Sequence, residues 1–256
     1  MKKYFFIALL LCQVSALASE GSFKPAEPIK MPWSFEGPLG TFDKQSIRRG
    51  LKVYQQVCAA CHSLNRISFR HLLGAGFTVE EAKSIASEYQ VKDGPNDDGE
   101  YYERPGVLSD YFVPPYANRK AAEAANNGAY PPDLSLIARG RMGGANYLYS
   151  LLIGFTDEEA PEGLYSNPYF STGKIAMAPP LSQDIVSYED GTPATVEQMA
   201  FDMVNFLHWA SEYEMEYRKR LGLKVMGFLS ILLVLSWVSN KRIWRDIKQA
   251  NNDGTS

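Results

Sequence analysis

Cys58-Ala59-Ala60-Cys61-His62 decides how this 256-residue chain is read. Two thiols with two residues between them, followed directly by a histidine, make a c-type haem attachment site. The spacing answers to the chemistry. Each sulfur forms a thioether to one haem vinyl group, and the adjacent imidazole lies under the ring as an axial ligand to iron. Other uses of these residues fail on count. A zinc knuckle takes four ligands, whereas the chain holds one further cysteine, Cys12, and two further histidines, His71 and His208. A thioredoxin-like pair would follow a strand and has no use for His62. A haem held by two covalent bonds is retained where free haem would be lost, which suits an electron carrier.

The N-terminus agrees with export. Lys2-Lys3 precede an apolar run from Tyr4 to Leu17, broken only by Gln13 and Ser15, and Ala16-Leu17-Ala18 is an A-x-A-like cleavage site. Residues 1–18 are therefore expected to be a cleaved signal peptide, since the run is short for an uncleaved anchor. Cleavage removes Cys12 and leaves two cysteines, both committed to haem, with no disulfide. Toward the other end, Leu221 to Ser239 is apolar apart from Lys224. At about 1.5 Å per residue this run crosses a bilayer core of ~30 Å. Lys224 can snorkel to the near interface, while Trp237 and Trp244 suit the far one. Residues 218–240 are expected to form a transmembrane helix, with 241–256 as a cytoplasmic tail. Flanking charge does not orient the span: Arg218, Lys219, Arg220 and Lys224 are matched by Lys241, Arg242, Arg245 and Lys248. The signal peptide does orient it, placing residues 19–217 on the periplasmic face of a bacterial inner membrane.

Between these ends, residues 19–210 hold 16 basic and 24 acidic side chains, a net charge of −8. Nucleic acid is excluded as a partner. The acidity suits attraction of a positively charged protein, or plain solubility. The stretch from Phe23 to Phe42 carries Pro25, Pro28, Pro32 and Pro38 and reads as an extended arm packed on the surface. A helix begins near Asp43 or Ser46, with Ile47, Leu51, Tyr54 and Val57 or Cys58 on one face and Arg48, Arg49 and Lys52 on its wet side. Thr78 and Glu81 form the capping box of a second helix running through Tyr89. From Lys92 to Asn118 the chain reads as a long irregular loop, ordered by Tyr101, Tyr102, Tyr111, Phe112 and Tyr116. The last helix begins near Thr195 and buries Val196, Met199, Met203, Phe206 or Leu207, and Ala210. It meets no proline before Ser256 and is expected to run unbroken into the span. The fold class is mainly α: a c-type cytochrome haem domain with long ordered loops and one C-terminal transmembrane helix.

The sixth iron ligand sets the function. An open position allows oxygen or peroxide chemistry, as in a haem peroxidase, whereas a methionine or histidine closes it and leaves electron transfer. His71 lies too near His62 to pass easily to the opposite haem face, and His208 sits beside Trp209 in the last helix, where a structural imidazole is expected. Met199 and Met203 fall on the core stripe of that helix. Met177 differs. It stands in Ile175-Ala176-Met177-Ala178-Pro179-Pro180-Leu181, a loop stiffened by two prolines and 115 positions beyond His62. Such a loop can bring a thioether to iron, and a soft neutral sulfur favours the reduced metal.

Several further segments stand in a characteristic order: Ile47-Arg48-Arg49-Gly50, Asp93-Gly94-Pro95-Asn96, Pro105-Gly106-Val107-Leu108-Ser109-Asp110-Tyr111-Phe112, Ala125-Asn126-Asn127-Gly128-Ala129, Pro131-Pro132-Asp133-Leu134-Ser135, Asn167-Pro168-Tyr169-Phe170 and Asp190-Gly191-Thr192-Pro193-Ala194-Thr195. With the haem motif, the Met177 loop and the C-terminal anchor, residues 33–245 resemble the cytochrome c1 family, the haem subunits of the cytochrome bc1 complex. The resemblance implies one haem c held by Cys58 and Cys61, with His62 and Met177 as axial ligands. It also implies Arg141 on a haem propionate, with Asn126, Pro132 and Tyr147 lining the pocket. A propionate needs a charged donor, and Arg139 could serve as well as Arg141. The inserted-loop disulfide that some members of the family carry has no cysteines here. The implied function is electron transfer within a quinol:cytochrome c oxidoreductase, from a Rieske iron–sulfur protein to a cytochrome c, beside a cytochrome b, in a dimeric complex. Asp97, Asp98, Glu100, Glu158 and Glu159 become candidates for attracting a basic carrier. The alternative is a free-standing membrane-anchored cytochrome c donating to a terminal oxidase.

Overall fold

A computed structural model of the chain describes residues 23–253, with side chains described through Arg245. The expected signal peptide, residues 1–18, lies outside the described residues. The fold is mainly helical, and its centre is one crossing of two helices. Helix α1, Lys44–Gln56, starts at Asp43, whose carboxylate accepts from the Gln45 and Ser46 amides. Of the two expected caps, Asp43 is the one used. Ile47, Leu51 and Tyr54 face inward, against the later helix Val196–Ser211. Gly50 sets the closeness of that crossing, since a Cβ there would lie 2.1 Å from the Asp202 carbonyl oxygen.

After the haem motif and a short 3-10 turn over Phe69–Leu73, helix α2 spans Val79–Ser87. The Thr78–Glu81 capping box is fully formed, and the helix stops at Ser87, short of the expected Tyr89. The stretch read as irregular contains a hairpin. Strands β1 (Gln90–Asp93) and β2 (Tyr102–Pro105) pair antiparallel, Gln90 opposite Pro105 and Asp93 opposite Tyr102. Its order comes as much from charge as from aromatics, because Arg104 bridges Asp93 and Asp110, the latter at 2.6 Å. Short helices α3 (Arg119–Ala125) and α4 (Ile137–Gly140) lead to α5, Gly144–Ile153. Two-residue strands β3 (Tyr165–Ser166) and β4 (Lys174–Ile175) then form a second small hairpin.

Helix α6, Val196–Ser211, is capped by Thr195 and buries Met199, Met203, Phe206, Leu207 and Ala210. It packs against α1, α4 and α5. Trp209, Tyr54, Phe69, Phe112 and Phe206 are the largest fully buried side chains. Two expectations about this region are corrected. Arg49 does not lie on a wet face: its guanidinium, 16% exposed, bonds the fully buried Asp202 of α6 at 2.8 Å and Asp190 at 2.8 Å. Nor is the last helix unbroken. Glu212 leaves helical geometry at φ −149°, and a new helix, α7, begins at Met215 and runs to Asp253. The break has partners rather than a proline. Arg139 and Arg218 both pair with the Glu212 carboxylate, and Tyr213 stacks on His71 with centroids 4.2 Å apart. From Met215 to Arg245, α7 is long and apolar enough to cross a membrane, and none of its most apolar window is buried.

Candidate haem site

Helix α1 delivers the chain into the motif. Val57 ends it, a 3-10 turn covers Cys58–Ala60, and the Cys61 and His62 amides both donate to the Cys58 carbonyl, at 3.1 and 2.8 Å. Both cysteines are free thiols, each half-buried. The Cys58 sulfur lies 3.9 Å from that of Met203, and burial pushes its thiol up to about 12.

Beyond its amide hydrogen bond to Cys58, His62 is fixed by two further contacts. The Tyr54 hydroxyl donates to its carbonyl at 3.2 Å. Its ring Nδ1 stands 2.8 Å from the Pro132 carbonyl, 70 positions away. A carbonyl only accepts, so Nδ1 carries the proton and Nε2 keeps its lone pair. Burial, the largest influence, also holds the imidazole below its ordinary range, against the Pro132 hydrogen bond and the Asp133 charge. A neutral histidine with Nδ1 engaged and Nε2 free is the state a metal ligand requires.

The segment that supplies Pro132 is sewn to the motif. The Leu134 amide donates to the Ser63 carbonyl at 2.9 Å, Ser135 Oγ accepts from the Arg66 amide at 3.0 Å, and the Asp133 carboxylate accepts from Ser63 Oγ at 2.8 Å and the Asn65 amide at 2.9 Å. Burial opposes the Asp133 charge, but these hydrogen bonds and those from Ser135 outweigh it and hold the carboxyl below its ordinary value. A depressed folded value means stability present above the unfolded aspartate value of about 3.9 and lost as pH falls through the lower folded one. Thermal melts between neutral pH and pH ~3 should therefore fall less steeply for Asp133→Asn than for the native chain. Equal slopes would exclude this carboxylate as an acid-labile clamp.

The remaining candidates sit as follows. Met177 is half-buried just after β4, and it belongs neither to the hydrophobic core nor to the residues packed against it. Met199 and Met203, by contrast, are 0% and 1% exposed within that core. Asn126 closes α3 and donates to the Tyr116 hydroxyl at 3.1 Å and the Ala122 carbonyl at 2.7 Å. Tyr147 is half-buried on α5, where burial raises its phenol and the charge of Arg141 lowers it. The Arg141 guanidinium is exposed and has no hydrogen bond or ion pair among the described residues, whereas Arg139 is taken by Glu212. His208 stacks on Phe35 at 3.8 Å, and burial brings its imidazole down to about 4. His71 caps a turn, accepting the Ser68 amide on Nδ1 at 3.1 Å.

This geometry meets a clear family match: the Cytochrome C1 family profile covers residues 33–247. The chain belongs to the cytochrome c1 family. It is 52% identical over 224 residues to "Cytochrome c1, heme protein, mitochondrial" of Schizosaccharomyces pombe, covering 86% of this chain and 73% of that one. The Saccharomyces cerevisiae protein of the same description is 49% identical over 244 residues, 93% of this chain and 78% of that one. "Cytochrome b-c1 complex catalytic subunit, mitochondrial" of Candida albicans is 53% identical over 222 residues, 84% and 77%.

The residues present fit a haem. A free imidazole nitrogen, two free thiols, a methionine that the core does not use and an unpaired arginine are the donor set such a group needs. Sequence reading of this cytochrome c1 chain missed the Asp133 clamp and placed Pro132 only as pocket lining. Its carbonyl accepts the His62 Nδ1 hydrogen bond. Pro131-Pro132-Asp133-Leu134-Ser135 was visible as a motif, but its pairing with residues 62–66 is tertiary.

Proposed function

We propose that this chain is the haem-bearing electron-transfer subunit of a cytochrome bc1 complex, a quinol:cytochrome c oxidoreductase. The observation that carries the reading is the His62–Pro132 hydrogen bond inside the Cys58-Cys61-His62 turn of a cytochrome c1-family chain. Family membership favours a complex subunit over a free-standing carrier.

Cys58 and Cys61 would hold one covalent haem c, His62 Nε2 and Met177 Sδ would ligate its iron, and Arg141 would bind a propionate. Arg141 is preferred to Arg139 because the latter neutralises Glu212. Asn126, Pro132 and Tyr147 line the pocket. When bound, the haem supplies a one-electron ferric/ferrous couple. With His62 and Met177 both bound to it, the iron would be closed to oxygen and peroxide, leaving this chain's residues to hold the group rather than to make or break bonds. Asp97, Asp98, Glu100, Glu158 and Glu159 are exposed and give an acceptor cytochrome c an acidic approach. The electron source is a Rieske iron–sulfur subunit, with cytochrome b alongside, in a dimeric assembly.

Residues 218–240 anchor the chain, with 19–217 on the exported side and 241–256 in the cytoplasm. The Lys2-Lys3 flank and the Ala16-Leu17-Ala18 site support a cleaved bacterial signal peptide and an inner-membrane location, although the relatives named above are mitochondrial. Detergent purification tests the whole reading. The chain should bring down a cytochrome b and a Rieske protein, and a pyridine-haemochrome assay should return one haem per chain that acid acetone does not extract. A polypeptide isolated alone, or one losing its pigment to acid acetone, would falsify it.

A further inference from the structure

The first described residues form a strap over the two segments that carry Tyr147 and Met177. The Met31 amide and the Trp33 indole both donate to Asn146 Oδ1, at 3.0 and 2.8 Å, and the Ile29 amide donates to Ser150 Oγ at 2.8 Å. A Cβ added at Gly143 would sit 3.5 Å from Pro28. The strap thus follows α5 along the helix that bears Tyr147. It then crosses to the next loop, where the Ala26 amide donates to the Pro168 carbonyl at 2.8 Å.

At its end, Phe23 closes against Gly173. The three atoms nearest to a Cβ built on Gly173 all belong to the Phe23 ring, the closest at 2.8 Å. Gly173 is buried, has φ +74°, and returns its carbonyl to the Asn167 amide at 2.9 Å. It stands four positions before Met177. The β3–β4 ladder on this loop is two residues per strand, too short to be stable by itself. Its support comes from outside: Asn167 to the Leu151 carbonyl at 2.8 Å, Lys174 to the Glu159 carbonyl at 2.6 Å, and the strap. Phe23 itself is 46% exposed and no part of the core. Its ring contact is therefore spent on the loop, not on the fold.

We propose that the strap, with Phe23 on Gly173 as its clasp, is a positioning element for Met177, holding the 167–177 loop closed so that the thioether stays on the iron. This rests on the reading of Met177 as an axial ligand. Opening the clasp should let the loop leave more often, and a ligand's access to the vacated side scales with the open fraction.

The test uses the full-length holoprotein in detergent. It reads the ferric sulfur-to-iron charge-transfer band, the fraction of ferrous protein that binds carbon monoxide at neutral pH, and the melting temperature. Phe23→Ala should raise the carbon-monoxide-reactive fraction about tenfold and weaken the band, with the melting temperature nearly unchanged, and Phe23→Tyr should restore both signals. Gly173→Ala drives a methyl into the ring and should reproduce the effect, with the double variant no worse than Gly173→Ala alone. A native band and native carbon-monoxide reactivity in Phe23→Ala would overturn the inference. So would a loss that follows the melting temperature and is not rescued by Phe23→Tyr. Met177→Leu separates the two readings. A persistent band there removes Met177 as ligand, whereas a lost band beside an unaffected Phe23→Ala removes only the strap.

Discussion

Met177→Leu is expected to lower the haem midpoint potential by on the order of 0.2 V, within the ~0.8 V over which axial ligands set haem potentials. Leucine keeps the apolar volume and removes the sulfur, so the half-buried loop after β4 keeps its packing while the soft donor that favours reduced iron is gone. For a one-electron couple each ~59 mV is tenfold in equilibrium constant, so ~0.2 V corresponds to about three decades. Quinol-driven reduction of cytochrome c should fall accordingly, with haem content unchanged. Spectroelectrochemical titration of the purified complex checks it. A potential equal to that of the native protein would take Met177 out of the ligand set. Met203→Leu is the informative comparison, because its sulfur is buried in the core beside Cys58 and should affect stability more than potential.

Asp202→Ala should cost about 3–5 kcal/mol of stability, the range for leaving a buried charge without its partner. Asp202 is fully buried and accepts from Arg49 Nε at 2.8 Å, Ser46 Oγ at 2.7 Å and Gln198 Nε2 at 3.0 Å. It joins α1 to α6 at the point where Gly50 lets the two helices approach most closely. Removing it leaves the Arg49 guanidinium with only the more exposed Asp190 and deprives a buried serine hydroxyl of its acceptor. At roughly 2–4 °C per kcal/mol for a domain of this size, the melting temperature should drop by about 6–20 °C. Asp202→Leu combined with Arg49→Met removes both charges and should recover much of the loss, since apolar replacement of a buried pair is often close to neutral. A native melting temperature in Asp202→Ala would mean that Asp190 and water satisfy Arg49 without the buried carboxylate.

Some of this was legible because it is local. Asp43 and Thr78 cap helices through side chains that reach amides two or three residues on, and such signals survive in any fold. The hairpin across residues 90–105 was not legible. Its strands, Gln90–Asp93 and Tyr102–Pro105, face water on most positions and show no alternation of apolar and polar residues. What orders it is Arg104 between two carboxylates, one of them eleven positions back. The break at Glu212 escaped for a similar reason: no proline or glycine marks it, and the charges that hold it come from α4 and α7.

Charge is where sequence reading was weakest. Arg49, Arg139 and Arg141 look alike in sequence, yet one is drawn into a buried pair, one neutralises a helix break, and one stays exposed beside Tyr147. A long side chain carries its charge several ångströms from its backbone, so its partner is set by the neighbouring element rather than by its own helix face.

By itself, then, the order of residues determined the Cys58-Ala59-Ala60-Cys61-His62 motif on which the haem reading rests, the helix starts near Asp43, Thr78 and Thr195 and the apolar run of α7, because each depends on neighbours within a few positions. The tertiary structure alone decided which nitrogen of His62 is free, through a carbonyl 70 positions away. It also decided which of Arg139 and Arg141 is left without an ion pair among the described residues, and where the last helix breaks. Those outcomes are electrostatic contacts between distant segments, and the energy of such a contact depends on distance and burial, neither of which leaves a periodic trace along the chain.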